Sequence, residues 1–77
     1  MQITIHSYGK ISDLIKNADY DVESGLNIDQ LRNFLLSINT ELHFIHYRIA
    51  VNNEFSDENK TLKAHDRIDL MPPFSGG

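Results

Sequence analysis

Two independent signals place the start of a helix at Asn27. Asparagine is a preferred N-cap residue, and Gln30 stands three positions later, where its side chain can reach back to the Asn27 backbone in a capping box. Leu26 before the cap and Leu31 at the fourth helical position have the spacing of a hydrophobic staple. A helix therefore begins here, and the rest of the chain must fold around it.

The helix that follows is amphipathic. It is predicted to cover residues 28–38, because Asn39 can adopt the left-handed conformation that ends helices. Its apolar side chains form one stripe, opposite polar residues such as Asp29 and Arg32. The stripe consists of Ile28, Leu31, Phe34, Leu35 and Ile38. Since this stripe must be buried, another layer of secondary structure has to cover it.

Several segments outside this helix have the patterns of strands. Alternation of polar and apolar residues and the positions of turn residues predict strands over residues 2–6, 20–23, 48–51, 54–56 and 67–70. Asn52 and Asn53 tolerate positive φ and suit a tight hairpin turn. A short helix is predicted over residues 10–17. Pro72 and Pro73 lack amide hydrogens and end the last strand.

The order of these elements predicts an α+β fold, in which a mixed five-stranded sheet packs on one main helix. This arrangement is the β-grasp, the fold of ubiquitin. With 77 residues, of which 40% are hydrophobic, the chain can form one compact core. We expect residues 1–71 to form that domain and residues 72–77 to form a flexible C-terminal tail.

Composition excludes several classes of function. The chain has no cysteine, which rules out disulfides, a thiolate nucleophile and cysteine-ligated metals. A formal charge of −4 repels phosphate backbones, so nucleic acid is not an expected partner. No stretch has the length of a membrane span, and the N-terminus lacks the features of a secretory signal. We expect a soluble, cytoplasmic protein.

The two terminal glycines, Gly76 and Gly77, suggest where chemistry takes place. A backbone without side chains can pass through a narrow channel and deliver its carboxylate. A carboxylate is a poor acyl donor, so a partner must activate it, and adenylation with ATP does so. Sulfur placed on that carbon gives a thiocarboxylate, which is a good sulfur nucleophile. The glycine pair alone does not establish this function, because glycine is common in chain ends.

The context of the glycines resembles one family. Residues 70–77, Leu-Met-Pro-Pro-Phe-Ser-Gly-Gly, are similar to the terminus of the small subunits of molybdopterin synthase, the MoaD family. Weaker matches upstream fall at Tyr8-Gly9-Lys10-Ile11, Ala50-Val51-Asn52 and Asp66. Departures are Ser12-Asp13, where relatives often carry a basic-acidic pair, and His65, where they often carry glycine.

The resemblance implies a sulfur carrier with no catalytic site and no bound cofactor of its own. An E1-like enzyme would adenylate Gly77 with ATP, and a sulfur donor protein would convert it to the thiocarboxylate. Phe74, Ser75 and Gly76 would thread into the large synthase subunit, where sulfur reaches cyclic pyranopterin monophosphate. Two small and two large subunits would form a heterotetramer, in which the acid–base residues belong to the large subunit.

The family resemblance also implies an interface for the partner. Phe55 and Met71 align with apolar positions that face the partner, and Pro72 and Pro73 continue this surface into the tail. Exposed aromatic residues and methionines are typical of interfaces. The alternative is that Phe55 and Met71 complete the small core.

Other polar residues have simpler interpretations. His43 and His46 could share a helix face, but no further ligands accompany them, so no metal site is predicted. His65 beside Asp66 lacks the nucleophile that a catalytic arrangement needs. The charged loop with Glu54, Asp57, Glu58 and Lys60 is interpreted as a solvated loop.

Three other functions remain open from the sequence. A sulfur carrier for thiazole synthesis would use the same chemistry up to delivery of the sulfur, although the Pro72-Pro73 ending and the longer helix region disfavour it. A protein modifier would join Gly77 to lysine amines. A plain interaction module would leave the tail chemically idle.

Overall fold

The computed structural model describes residues 1–73 of the chain. The strands are β1 (Gln2–Ser7), β2 (Ala18–Asp21), β3 (Arg48–Val51), β4 (Glu54–Phe55) and β5 (Arg67–Met71). One α-helix, α1, covers Ile28–Ile38, and two 3₁₀ helices cover Gly9–Asp13 and Thr40–Phe44. Within residues 1–73, no helix combines the length and the apolar character that crossing a membrane requires.

The strands form one mixed sheet in the order β2-β1-β5-β3-β4. β1 and β5 pair in parallel at the centre, and the other neighbours are antiparallel. The core contains Ile28, Leu31 and Leu35 of α1 together with alternate residues of the central strands, such as Ile5, Val51 and Leu70. The predicted α+β, β-grasp fold is confirmed.

The start of α1 is confirmed, and its end differs from the prediction. Asn27 accepts a hydrogen bond from the Gln30 amide (2.8 Å), and the Gln30 side chain accepts one from the Asn27 amide (2.9 Å). Asn39 is extended, with φ −149°, and its side chain caps the second 3₁₀ helix instead. Ile38, predicted to be buried, is 42% exposed. Leu42 of that 3₁₀ helix is buried in the core.

The short elements near the N-terminus differ from their predicted bounds for reasons of pairing. β2 lies two residues earlier than predicted, because Gln2, the first residue of β1, pairs with Asp21. The helix predicted over residues 10–17 is a 3₁₀ helix that ends at Asp13. The chain then returns to β1, where the Ser7 amide donates to the Asn17 side chain at 2.8 Å. Near the other end of the sheet, β4 is one residue shorter than predicted, because Ser56 lies outside it.

Two turns at the same end of the sheet are joined by side-chain hydrogen bonds. Asn52 and Asn53 have φ of 50° and 70°, as the hairpin prediction requires. The Asn52 side chain donates to Asp66 (2.9 Å) and accepts from the Arg67 amide (2.9 Å). The second Asp66 oxygen accepts from the Lys63 amide at 2.8 Å. These contacts fix the start of β5, the strand that leads to the tail.

His65 occupies a backbone conformation that favours glycine, with φ of 69°. A side chain in the left-handed region costs about 1–2 kcal/mol, and its loss at an exposed position removes little packing. We therefore expect His65→Gly to raise the free energy of unfolding by about 1 kcal/mol, measured by urea denaturation. His65→Ala keeps the Cβ atom and serves as the control. A glycine variant less stable than the alanine variant would contradict this explanation.

Candidate functional site

The face of the sheet opposite α1 carries a mixed apolar and charged surface. Residues that pair across antiparallel or parallel strands point to the same side, and Arg48 pairs with Met71, while Ala50 pairs with both Phe55 and Asp69. We call this surface the open face and define it by Tyr8, Arg48, Ala50, Phe55, Arg67, Asp69 and Met71.

Phe55 and Met71, the predicted interface residues, both lie on the open face. Phe55 is 53% exposed and Met71 is half-buried. The Arg48 guanidinium lies over the Phe55 ring, 3.6 Å from its centroid. Phe55 therefore does not complete the core. It forms an exposed apolar platform that is partly covered by a cation, an arrangement that suits contact with another protein.

A polar network lies beside this platform. Arg67 donates through Nε to Asp69 (3.1 Å) and through Nη2 to the Tyr8 hydroxyl (3.2 Å). The hydrogen bonds to Asp69 and then to Tyr8 hold the pKa of Arg67 above its usual value. Asp69 is only 6% exposed. The sequence interpretation missed this network, although the alternation through Arg67-Ile68-Asp69 places both charges on one face.

The chain leaves the sheet at one corner of the open face. Gly9 packs against Pro72, because a Cβ atom at Gly9 would lie only 3.0 Å from Pro72 Cγ. Gly9 also has φ of 61°, so both space and backbone favour glycine. Pro72 and Pro73 line an apolar groove of about 330 Å³ together with Ile11, Ile45 and His46. Phe74, Ser75, Gly76 and Gly77 lie outside the described residues.

The histidines considered in the sequence are dispersed, and His46 lines the groove beside Pro72 and Pro73. His43 belongs to the second 3₁₀ helix and packs edge-on against Phe44, with ring centroids 5.2 Å apart, whereas His46 lies beyond that helix. Among residues 1–73, no three histidine, aspartate or glutamate side chains are grouped so that they could hold a metal ion. Glu58 of the charged loop is not merely solvated, because it forms an ion pair with Arg32.

Comparison with known proteins places this geometry in a family. A model of the ThiS family matches residues 6–77, which include the open face, Pro72 and Pro73 at the end of the sheet, and the terminal glycines. The chain belongs to the ThiS family. The match covers nearly the whole chain and includes the C-terminal residues.

Solved structures share the fold of this ThiS-family chain. A protein from Pyrococcus furiosus described as molybdopterin converting factor, subunit 1, matches with a TM-score of 0.87 and 14% identity, over 95% of this chain and 98% of that chain. Small archaeal modifier protein 1 of Haloferax volcanii matches with a TM-score of 0.80 and 14% identity, over 95% of this chain and 98% of that chain. At these identities the similarity concerns the fold.

A third structure is more similar in sequence to the ThiS-family chain. It comes from a complex of subunits 1 and 2 of molybdopterin-converting factor from Helicobacter pylori, with 26% identity, a TM-score of 0.68 and full coverage of both chains. The predicted resemblance to molybdopterin synthase small subunits is thus confirmed. The chain has the fold of the ThiS- and MoaD-like sulfur carriers.

Proposed function

We propose that this chain is the sulfur carrier subunit of a cytoplasmic molybdopterin synthase. The observation that carries the proposal is the 26% identity, over the full length of both chains, to a protein solved in a complex of subunits 1 and 2 of molybdopterin-converting factor. The family match through Gly77 supports it, because the match includes the residues that would perform the chemistry.

The proposed chemistry takes place at the Gly77 carboxylate. A carboxylate oxygen attacks the α-phosphorus of ATP on an E1-like enzyme, which releases pyrophosphate and leaves an acyl-adenylate. Hydrosulfide released by a donor protein adds to the acyl carbon and displaces AMP, which leaves the thiocarboxylate. Transfer of the sulfur to cyclic pyranopterin monophosphate and addition of water return the carboxylate. The carrier supplies position, and its partners supply catalysis.

Docking and delivery use different parts of the molecule in this proposal. The open face binds the large subunit through Phe55 and Met71, Pro72 and Pro73 extend this interface, and residues 74–77 enter the partner's active site. Four extended residues span about 13–14 Å, since each adds about 3.3–3.6 Å. This length lets the domain dock outside the active site while Gly77 reaches the precursor within it. The dithiolene needs two sulfur atoms and thus two loaded carrier tails, and the family resemblance implies a heterotetramer of two carriers and two large subunits.

A second candidate is the delivery of sulfur to thiazole synthesis, which the ThiS name of the matching family favours. Activation of Gly77 would be the same, and only the acceptor would differ. The terminal residues therefore do not separate the two functions. The partner that binds the open face separates them.

Mass spectrometry of the intact protein tests the shared chemistry. We expect the chain, incubated with its E1-like enzyme, ATP and sulfide, to gain the mass difference between sulfur and oxygen at Gly77. The charged carrier should then convert cyclic pyranopterin monophosphate when the large synthase subunit is added. Omission of ATP is the control, because sulfide cannot displace hydroxide from an unactivated carboxylate.

Each outcome distinguishes the alternatives. An unchanged mass, under conditions that charge a known homologue, would refute the carrier function. Charging without conversion of the precursor, but with sulfur delivery to a thiazole synthase, would favour the second candidate. Recovery of Gly77 joined to lysine amines in cells would instead favour a protein modifier.

A further inference from the structure

A small polar pocket borders the open face at the outer edge of the sheet. It has a volume of about 170 Å³ and lies between β3, β4 and the side of α1. Its polar walls are Arg32, Tyr47, Arg48, Ser56 and Glu58, and Phe55 forms an apolar wall. The pocket is thus continuous with the Phe55 platform.

Arg32 and Glu58 form a fixed inner wall of this pocket. Arg32 donates through Nε to Glu58 Oε2 (2.9 Å) and through Nη2 to Oε1 (3.0 Å), so the ion pair is bidentate. The same guanidinium lies 4.9 Å from the centroid of the Tyr47 ring. Burial lowers the pKa of Arg32, but Glu58 more than offsets this effect and the pKa is raised. Burial raises the pKa of Tyr47 further above neutral pH, where a tyrosine phenol is already protonated and able to donate a hydrogen bond.

Arg48 forms the outer wall and has a different environment. The ring of Phe55 supports its guanidinium at 3.6 Å. Among residues 1–73, the ion pairs are Arg32 with Glu58 and Arg67 with Asp69, so Arg48 has no carboxylate partner there. A guanidinium stacked on a ring still presents its N–H groups at its edge, in the fork that matches a carboxylate. Arg48 is therefore held in position with its donors available.

The charge of the pocket is opposite to that of the whole protein. Arg32, Arg48 and Glu58 sum to one positive charge, whereas the chain carries −4. An aspartate or glutamate side chain is small enough for this volume, and it would meet the Arg48 fork and the Tyr47 hydroxyl. Its aliphatic stem would lie against Phe55. Charge complementarity and the adjoining platform thus favour a protein carboxylate as the occupant.

We propose that this pocket receives one acidic side chain of the protein that docks on the open face, with Arg48 as the residue that binds its carboxylate. This inference rests on the proposed function, because it takes the large synthase subunit as that protein. It adds a specificity element: an apolar contact at Phe55 selects for a complementary surface, and Arg48 selects for a carboxylate at one position on it.

Calorimetric titration with the cognate large subunit tests the proposal. We expect Arg48→Ala to weaken binding about tenfold, the usual effect of losing one charge-assisted hydrogen-bonded contact. Arg48→Glu should weaken it about a hundredfold, because it adds repulsion. Arg48→Lys keeps the charge without the planar fork and should fall between the parent and Arg48→Ala. Lys16→Glu is the control, because it makes the same charge change as Arg48→Glu at an exposed site before β2.

Two further measurements make the result specific. The affinity of the parent should fall with added salt more steeply than that of Arg48→Ala, since the variant lacks the ion pair. A large subunit in which one interfacial acidic residue is replaced by lysine should restore binding of Arg48→Glu. Thermal unfolding of each variant should match the parent, because Arg48 is exposed.

The outcomes separate this inference from the proposed function. If Arg48→Ala and Arg48→Glu bind like the parent while the parent is charged and delivers sulfur, the pocket is not a carboxylate site and the carrier function stands. If the parent itself does not bind the large subunit, both proposals are wrong. Equal losses for Arg48→Glu and Lys16→Glu would show a general charge effect and would overturn the assignment to Arg48.

Discussion

Deletion of Gly77 is expected to lower the rate of sulfur transfer by at least about 100-fold, while the fold and most of the affinity for the large subunit persist. One extended residue spans about 3.3–3.6 Å, so the deletion withdraws the reacting carbon by more than nucleophilic attack tolerates. A single-turnover assay with the large subunit and cyclic pyranopterin monophosphate measures this rate. Carriers loaded chemically avoid any failure of the E1-like enzyme to accept the altered tail.

Two further tail variants and a stability measurement test the same explanation. A residue added after Gly77 should abolish transfer equally, because the reacting carboxylate then lies beyond its position. Gly76→Val should impair transfer, since a β-branched side chain restricts the backbone and makes the tail too wide for a narrow channel in the large subunit. Melting temperatures should be unchanged, because the substituted positions come after Leu70, the last of the core residues in the described part of the chain. Conversion at the parental rate by a loaded carrier without Gly77 would contradict the proposed mechanism, because the position of the reacting carbon would then not matter.

Truncation of the apolar platform is expected to weaken binding of the large subunit more than any other single substitution by alanine. Phe55→Ala should weaken binding of the large subunit about 30-fold, the factor typical of an aromatic hot spot, and Met71→Ala should weaken it about tenfold. Phe55 is 53% exposed in the free domain, so its truncation removes little packing from the core. Calorimetric titration gives the affinity, and circular dichroism melting gives the stability.

Phe44 provides a matched control for the Phe55 variant. It is 83% exposed, belongs to the second 3₁₀ helix and is not among the residues that define the open face. Phe44→Ala therefore makes the same chemical change without touching the platform, and we expect parental binding. A loss of binding in Phe44→Ala but not in Phe55→Ala would place the interface elsewhere. A large fall in the melting temperature of Phe55→Ala would instead support a structural role for that side chain.

The sequence predicted α1 well because its start depends on residues three or four positions apart. Both hydrogen bonds of the capping box at Asn27 and Gln30 form within one turn. The bounds of β2 depend instead on where β1 begins, a contact between residues about twenty positions apart. Asn39 likewise could end a helix in two ways, and the 3₁₀ helix that follows decided between them.

The open face was predicted in part. The alternation in β5 places Met71 away from the core face, and the family resemblance assigns both Phe55 and Met71 to partner-facing positions. The contact of Arg48 with Phe55 needs the register across the hairpin, in which Ala50 pairs with Phe55. The ion pair between Arg32 and Glu58 joins α1 to a loop 26 positions later. Local patterns do not encode that distance, so the polar pocket could be found only in the folded chain.

The central position of β5 has a mechanical consequence for delivery. β5 pairs with β1 on one side and with β3 on the other, and the tail continues directly from its end. A pull on residue 72 therefore acts along the strand and loads the hydrogen bonds on both sides together, in shear. A strand at the edge of the sheet would resist the same pull with the hydrogen bonds of one side only. A partner can thus draw the tail tight into its active site while the domain acts as a firm anchor.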